Sequence, residues 1–169
     1  MDLELDGLEV TFDHTAVAAP RIRDLLPIYR DLLGGRHLGG GGDNRRSGYR
    51  TLQLTYEGGG KIELMEPLAG SDFFDSFFEL TRGRGGVHHL NFHVNDLDAA
   101  VARLTERGYR LHGLNVRDQR WREVFLHPKE VHGVLIQLAQ VGPRGAEPRP
   151  SLDDVLAGHG RNGNGVPSP

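Results

Sequence analysis

The 169-residue chain contains no cysteine, and only 7% of its residues are aromatic. Without cysteine it forms no disulfide, thiolate nucleophile or sulfur-ligated zinc site, so a bound metal would need His, Glu, Asp or amide oxygen as ligands. No apolar run approaches the ~20 residues of a membrane-spanning helix, and the opening residues MDLELDGLEV are acidic where a secretion signal would be basic. We therefore expect a cytoplasmic protein with no membrane partner.

A basic surface is also missing from the sequence. The formal net charge is -3, and no run of Lys and Arg is interleaved with aromatic residues. Such a chain has no general attraction for phosphate backbones, so nucleic acid is excluded as an expected partner. A small molecule is the expected ligand.

The last part of the chain is rich in glycine and proline and poor in apolar residues. This composition over 142–169 predicts a disordered tail, because little apolar surface is present to offset the entropy of ordering. Within it, SLDDVLAG has a helix N-cap signal at Ser151 and apolar residues at helical spacing. This segment predicts one or two helical turns docked on the rest of the chain or on a partner.

Residues 1–141 contain two halves with the same order of sequence patterns. Each half opens with an alternating segment that carries histidine, FDHTAVAA (12–19) and VHHLNFHV (87–94). An amphipathic helix follows in each half, with Asp24 and Asp96 as the expected N-caps and a glycine at the end. Further strand patterns follow each helix, one of them weakly marked in each half, near RHLGG and YRLHG.

The repeated order predicts an α+β fold built from two tandem βαβββ modules. The modules cover about 8–68 and about 86–140. Four phenylalanines in SDFFDSFFELTRG predict a linker helix at about 71–82 that packs on the sheet.

Strand alternation sorts the polar residues of these strands onto one face. In VHHLNFHV, Leu90 and Phe92 pack on one side, and the residues between them point to the opposite, hollow face. His88 is expected to have a structural role. The residues that alternation places on the hollow face are His14, Glu63, Met65, His89, Asn91, His93 and Gln137.

The spacing of the metal-capable residues repeats between the halves. His14 and Glu63 are 49 positions apart, and His89 and Gln137 are 48 apart. Duplicated modules would relate these two pairs by a pseudo-twofold axis, so that all four side chains converge on one centre. Two imidazoles, a carboxylate and an amide oxygen suit a divalent metal, and two histidines with one carboxylate also match non-haem Fe(II) oxygenases.

The motifs DHTAVAAPRIRDLLPIYRDLLGG, KIELMEPL, GVHHLNFHVNDLDAAVARLTERG and VFLHPKEVHGVLIQL resemble the vicinal oxygen chelate superfamily. This superfamily comprises glyoxalases, dioxygenases, bleomycin-resistance proteins and methylmalonyl-CoA epimerases, and the resemblance is strongest to the epimerase branch over about 8–140. It implies a partly open, cup-shaped mixed sheet with one divalent metal (Co, Ni, Mn, Zn, Mg or Fe). It also leaves a homodimer open.

The resemblance implies four metal ligands, His14, Glu63, His89 and Gln137. Epimerases of this branch usually carry Gln and then Glu at the second and fourth positions, so the acid and the amide look exchanged here. A second family glutamate, on an earlier strand, corresponds to Gln53. Because an amide cannot act as a general base, neither Gln53 nor Gln137 is expected to move a proton as the family glutamates do.

Two residues are left as candidate catalytic groups. Glu63 is a carboxylate at the expected metal, and His93 lies on the hollow face and titrates near neutrality when unperturbed. Gln53, Asn91 and Met65 are expected to line the substrate pocket. We therefore expect a metal-dependent isomerase or lyase that stabilises the enolate of a small oxygenated metabolite, with an iron dioxygenase and a non-catalytic drug-binding protein as alternatives.

Overall fold

The computed structural model describes residues 7–143 and 149–159, which form eight strands and four short α-helices. These residues divide into two compact units. The first unit comprises 14–88 with 149–159, and the second comprises 89–143 with 7–13. In chain order the elements are β1 (Val10–Ala18), α1 (Ile22–Leu26), β2 (Gly41–Asn44), β3 (Tyr49–Thr55), β4 (Lys61–Pro67), α2 (Asp75–Leu80), β5 (Gly86–Val94), α3 (Leu97–Glu106), β6 (Leu111–Asp118), β7 (Trp121–Leu126), β8 (Leu135–Val141) and α4 (Leu152–Leu156).

The strands of the first unit follow the order β2-β3-β4-β1. β4 pairs in parallel with β1 and antiparallel with β3, so a crossover that contains α1 connects the parallel pair. Glu63 is opposite Ala16 of β1 and opposite Gln53 of β3. The last strand of the module therefore lies between the strands that carry His14 and Gln53.

The strands of the second unit follow the order β5-β8-β7-β6. β8 pairs in parallel with β5 and antiparallel with β7, and Gln137 is opposite Asn91. The first unit has the same register. His14 lies two residues before Ala16, which pairs with Glu63, and His89 lies two residues before Asn91, which pairs with Gln137. The α+β class and the two βαβββ modules are confirmed.

The first helix differs from its predicted form. It begins at Ile22 rather than after Asp24, and Glu66 accepts a hydrogen bond from the first helical N–H, that of Ile22, at 2.6 Å. Pro27 ends the α-helical hydrogen bonding because it has no N–H, and a π-helical turn continues over Pro27–Leu32. Asp24 pairs with Arg21 and does not cap the helix.

The apolar faces of the other elements match the predicted pattern. Asp96 caps α3 by accepting from the N–H of Ala99, and α3 buries Leu97 and Ala100 against Val124 and other residues of β7 and β8.

The phenylalanine helix, α2, is shorter than expected and covers Asp75–Leu80. Its N-cap, Phe74, is buried with the small residues of β1, and the wholly buried members of that cluster are Ala16, Ala18, Met65 and Phe74.

The tail contains a docked helix, which corrects the prediction of disorder over 142–169. Ser151 and Asp154 form a capping box at the start of α4, and Val155 and Leu156 are buried in the core of the first unit. His37 bridges the carbonyl oxygens of Gln53 and Pro150, at 3.1 and 3.0 Å. The alternative of docked helical turns is confirmed, whereas residues 144–148 and 160–169 lie outside the described residues.

Candidate metal centre

The first unit places an imidazole beside a carboxylate in a buried environment. His14 on β1 is 1% exposed and Glu63 on β4 is 9% exposed, and His14 Nε2 lies 3.6 Å from Glu63 Oε2. Two ligands that each bind one ion at about 2.0–2.2 Å have donor atoms at about this separation. The pair therefore fits two neighbouring ligands of one divalent metal.

Gln53 holds the other oxygen of that carboxylate. Its Nε2 donates to Glu63 Oε1 at 3.2 Å, from the position directly opposite on β3. Gly40 lies so close to the Gln53 side chain that a larger residue does not fit there, because a Cβ on Gly40 would be 2.5 Å from Gln53 Oε1. Gln53 is thus a positioning neighbour of Glu63, consistent with an amide that cannot move a proton.

The second unit places three buried polar side chains on one face of its own strands. His89 and Asn91 of β5 are 4% and 0% exposed, and Gln137 of β8 is 6% exposed. Asn91 Nδ2 donates to Gln137 Oε1 at 2.6 Å. The amide of Gln137 is therefore tied to Asn91 through its oxygen.

Glu123 is a site residue that sequence reasoning missed. It lies on β7, and its Oε2 accepts from Gln137 Nε2 and from Trp121 Nε1, each at 2.7 Å. In the pattern WREVFL, burial of Val124 and Leu126 in the core places Trp121 and Glu123 on the opposite face. The signal was therefore present, but only the register of β7 on β8 shows that Glu123 meets Gln137.

Each unit contains one amide hydrogen-bonded to one carboxylate, on neighbouring strands. In the first unit the acid, Glu63, is on the last strand and the amide, Gln53, is on the strand before it. In the second unit the amide, Gln137, is on the last strand and the acid, Glu123, is on the strand before it. The carboxylate that position 137 lacks is therefore supplied within hydrogen-bond distance by β7.

His93, the second candidate base, lies between an acid and an indole. Its Nε2 is 3.7 Å from Asp13 Oδ2, and its ring contacts Trp121 edge-on with centroids 6.0 Å apart. The His93 side chain is 32% exposed, whereas His89 on the same strand is 4% exposed.

Met65 and His88 contact the phenylalanine cluster. Met65 is 3% exposed and packs with Phe74, so its pocket role remains a prediction. The His88 ring lies 5.2 Å from the Phe74 ring and 5.1 Å from the Phe77 ring. Burial lowers the pKa of His88 to about 4, in keeping with the predicted structural role.

The sequence pattern of the glyoxalase/bleomycin resistance protein/dioxygenase superfamily matches residues 13–125. The chain belongs to this superfamily. The match covers both histidines, His14 and His89, and three of the four acid and amide positions described above, namely Gln53, Glu63 and Glu123 but not Gln137. The glyoxalase-like fold predicted from the motifs is therefore confirmed, together with the superfamily.

Epimerases are among the proteins that are similar to this chain. The ethylmalonyl-CoA/methylmalonyl-CoA epimerase of Cereibacter sphaeroides is 33% identical over 132 residues, which are 76% of this chain and 96% of that protein. The methylmalonyl-CoA epimerase structure from Mycobacterium tuberculosis is 32% identical with a TM-score of 0.67, covering 79% of this chain and 89% of that one. These relatives are isomerases, and the prediction of an isomerase-type enzyme is confirmed.

One similar structure was solved with a bound ligand. Streptomyces coelicolor methylmalonyl-CoA epimerase in complex with 2-nitronate-propionyl-CoA is 28% identical to this chain, with a TM-score of 0.65 over 80% of this chain and all of that one. No helix among residues 7–143 and 149–159 has the length and apolar character needed to cross a membrane.

Proposed function

We propose that this superfamily member is a divalent-metal-dependent epimerase of a 2-alkylmalonyl-CoA thioester, such as methylmalonyl-CoA or ethylmalonyl-CoA. The observation that carries the proposal is the buried His14–Glu63 pair, a metal-capable imidazole and carboxylate within the residues that the superfamily pattern matches. The names of those relatives support the substrate class.

The proposed metal ligands are His14 and Glu63 from the first unit, with His89 and the amide of Gln137 from the second. Two histidines and one glutamate that could hold an ion support this set. The donor types accept Co, Ni, Mn, Zn, Mg or Fe. When bound, such an ion acts as a Lewis acid that stabilises the negative charge of an enolate.

Epimerisation requires that the proton on the substrate α-carbon leave one face and that a proton return to the other. In our proposal the Glu63 carboxylate takes the proton, and the electron pair of the broken C–H bond moves onto the thioester oxygen. His93, as imidazolium beside Asp13, returns a proton to the opposite face while the electron pair moves back from oxygen to the α-carbon. Proton exchange with solvent then restores the Glu63 carboxylate and the His93 imidazolium. Gln53 supports Glu63 by holding its Oε1, and neither Gln53 nor Gln137 exchanges a proton.

Interconversion of the two methylmalonyl-CoA stereoisomers tests this function. The purified protein is stripped with a chelator and reloaded with Co²⁺ or Mn²⁺, and the isomers are separated by a stereospecific coupled assay. We expect turnover only in the reloaded protein and its loss in His14→Ala. Absence of turnover with every metal, or O₂ consumption with iron and a catechol, would contradict the epimerase and favour the dioxygenase alternative.

A further inference from the structure

Three polar side chains of the second unit form a hydrogen-bond chain, which we call the amide relay (Glu123, Gln137 and Asn91). Gln137 Nε2 donates to Glu123 Oε2 at 2.7 Å, and Asn91 Nδ2 donates to Gln137 Oε1 at 2.6 Å. Trp121 Nε1 donates to the same Glu123 oxygen at 2.7 Å. The relay therefore connects β7 to β5 across β8.

The chemistry of the end groups gives the amide relay one direction. An indole N–H only donates and a carboxylate only accepts, so Gln137 must turn its NH₂ toward Glu123. Its carbonyl oxygen then faces Asn91, and Asn91 must in turn present its own NH₂. The remaining atom of the second amide, Asn91 Oδ1, is directed away from the relay.

Asn91 Oδ1 ends the relay as a buried acceptor. The Asn91 side chain is 0% exposed, and its Oδ1 has no hydrogen-bond partner among the residues that the structure describes. A buried amide oxygen is unfavourable unless it meets a hydrogen-bond donor or a cation. Asn91 follows His89 by two residues on β5, so its side chain lies on the same face as His89, which is one of the proposed metal ligands.

We propose that Asn91 Oδ1, and not Gln137 Oε1, is the oxygen ligand that the second unit supplies to the divalent metal. Gln137 and Glu123 are then positioning residues, because they fix which atom of Asn91 faces the ion. The negative charge of Glu123 polarises both amides in the direction that enriches Asn91 Oδ1 in electron density. This inference rests on the metal centre of the proposed function and revises one of its ligands.

Selective isotope labelling identifies the ligand without relying on turnover. Apo protein is prepared with ¹³C at the side-chain carbonyl of asparagine or, separately, of glutamine, and is loaded with one equivalent of Mn²⁺. Electron-nuclear double resonance then reports ¹³C nuclei next to the ion. We expect a resolved coupling with labelled asparagine, its loss in Asn91→Leu, and no such coupling with labelled glutamine.

The positioning role has its own test in metal affinity. Glu123→Gln keeps the side-chain shape, but its amide can both donate and accept, so it no longer fixes the orientation of Gln137 and, through Gln137, that of Asn91. We therefore expect Mn²⁺ affinity to fall about 10- to 100-fold. Glu130→Gln is the matched control, because Glu130 pairs with Arg110, a residue exposed to solvent, and takes no part in the relay. Its Mn²⁺ affinity should equal that of the unmodified protein.

The possible results separate this inference from the proposed function. A coupling with labelled glutamine and none with labelled asparagine overturns the inference but leaves the epimerase intact. Equal Mn²⁺ affinity of Glu123→Gln and Glu130→Gln overturns the positioning role. A coupling with asparagine in a protein that never epimerises the thioester contradicts the proposed function alone, and a protein that binds no Mn²⁺ contradicts both.

Discussion

Gln137 donates its side-chain amide to the carboxylate of Glu123 across 2.7 Å. This contact shows that the acid absent from the final strand is present on the adjacent strand. The first unit has the same pair in reverse order, with Glu63 on the last strand and Gln53 beside it. Each unit therefore contains one carboxylate hydrogen-bonded to one amide, and the two units carry them on strands in opposite order.

The Gln137–Glu123 contact predicts a compensating pair of substitutions. Gln137→Glu alone brings two carboxylates together at a largely buried position and should lower the free energy of unfolding by about 2 kcal/mol. Adding Glu123→Gln restores an amide opposite an acid and should recover at least half of that loss. Urea unfolding of the two single variants and the double variant measures the coupling, and strictly additive effects would show that the contact is unimportant.

Gly40 should control the orientation of Glu63 through Gln53. A methyl group at Gly40 would lie 2.5 Å from Gln53 Oε1, so Gly40→Ala should displace that amide and break its hydrogen bond to Glu63. We expect metal affinity to fall about 10-fold, the lower end of the effect of such supporting contacts. Competition with a fluorescent chelator measures it.

Gly60→Ala is the matched control for that variant, because a Cβ there meets nothing within 4 Å. It should leave metal affinity unchanged. If both glycine variants bind metal alike, Gln53 does not position Glu63.

Burial of His88 makes the stability of the protein sensitive to acid. The pKa of His88 is about 4 when folded and close to 6.5 when unfolded, so the unfolded chain binds the proton more readily between these values. The contribution of the neutral ring is complete above about pH 6.5 and is lost as the pH falls toward 4, by about 3 kcal/mol in total.

His88→Phe should remove that part of the pH dependence, since phenylalanine does not titrate. Thermal unfolding between pH 7 and 4 should show a shallower decline for His88→Phe than for the unmodified protein. His132→Asn, at an exposed turn residue with φ of 58°, is the control and should keep the full decline. Parallel pH profiles for all three proteins would argue against a buried, neutral His88.

The docked tail helix should contribute to the stability of the first unit. Val155 is fully buried among apolar residues of α1, β3 and β4, so Val155→Ala should lower the free energy of unfolding by about 2 kcal/mol. Asp153→Ala, at an exposed position of the same helix, should change it by less than about 0.5 kcal/mol. Equal urea midpoints for these two variants would mean that α4 does not contribute to the core.

Much of the fold was predictable because its signals are local. Alternation and helix caps identified both modules, and Asp96 caps α3 as predicted. β2 was weakly marked because it begins with two glycines, which carry no side chain to alternate. The docking of α4 was only an alternative, since it depends on contacts of His37 and Arg50 more than a hundred residues away.

The candidate site was predictable where spacing repeats and not where it depends on register. Alternation gave the faces of His14, Glu63, His89 and Gln137, and the paired registers of β4 and β8 agree with that assignment. Glu123 was missed because its importance comes from a diagonal contact between β7 and β8, which the order of residues does not show.

Solvent deuterium incorporation at the α-carbon of methylmalonyl-CoA tests the central claim most directly. In D₂O with a divalent metal, the protein should exchange that hydrogen, as followed by ¹H NMR, and Glu63→Gln should reduce the exchange rate at least 100-fold because it removes the proposed base. Glu57→Gln, at an exposed position near β4, should exchange normally. Unchanged exchange in Glu63→Gln would contradict the assignment of Glu63, and no exchange in the unmodified, metal-loaded protein would contradict the epimerase itself.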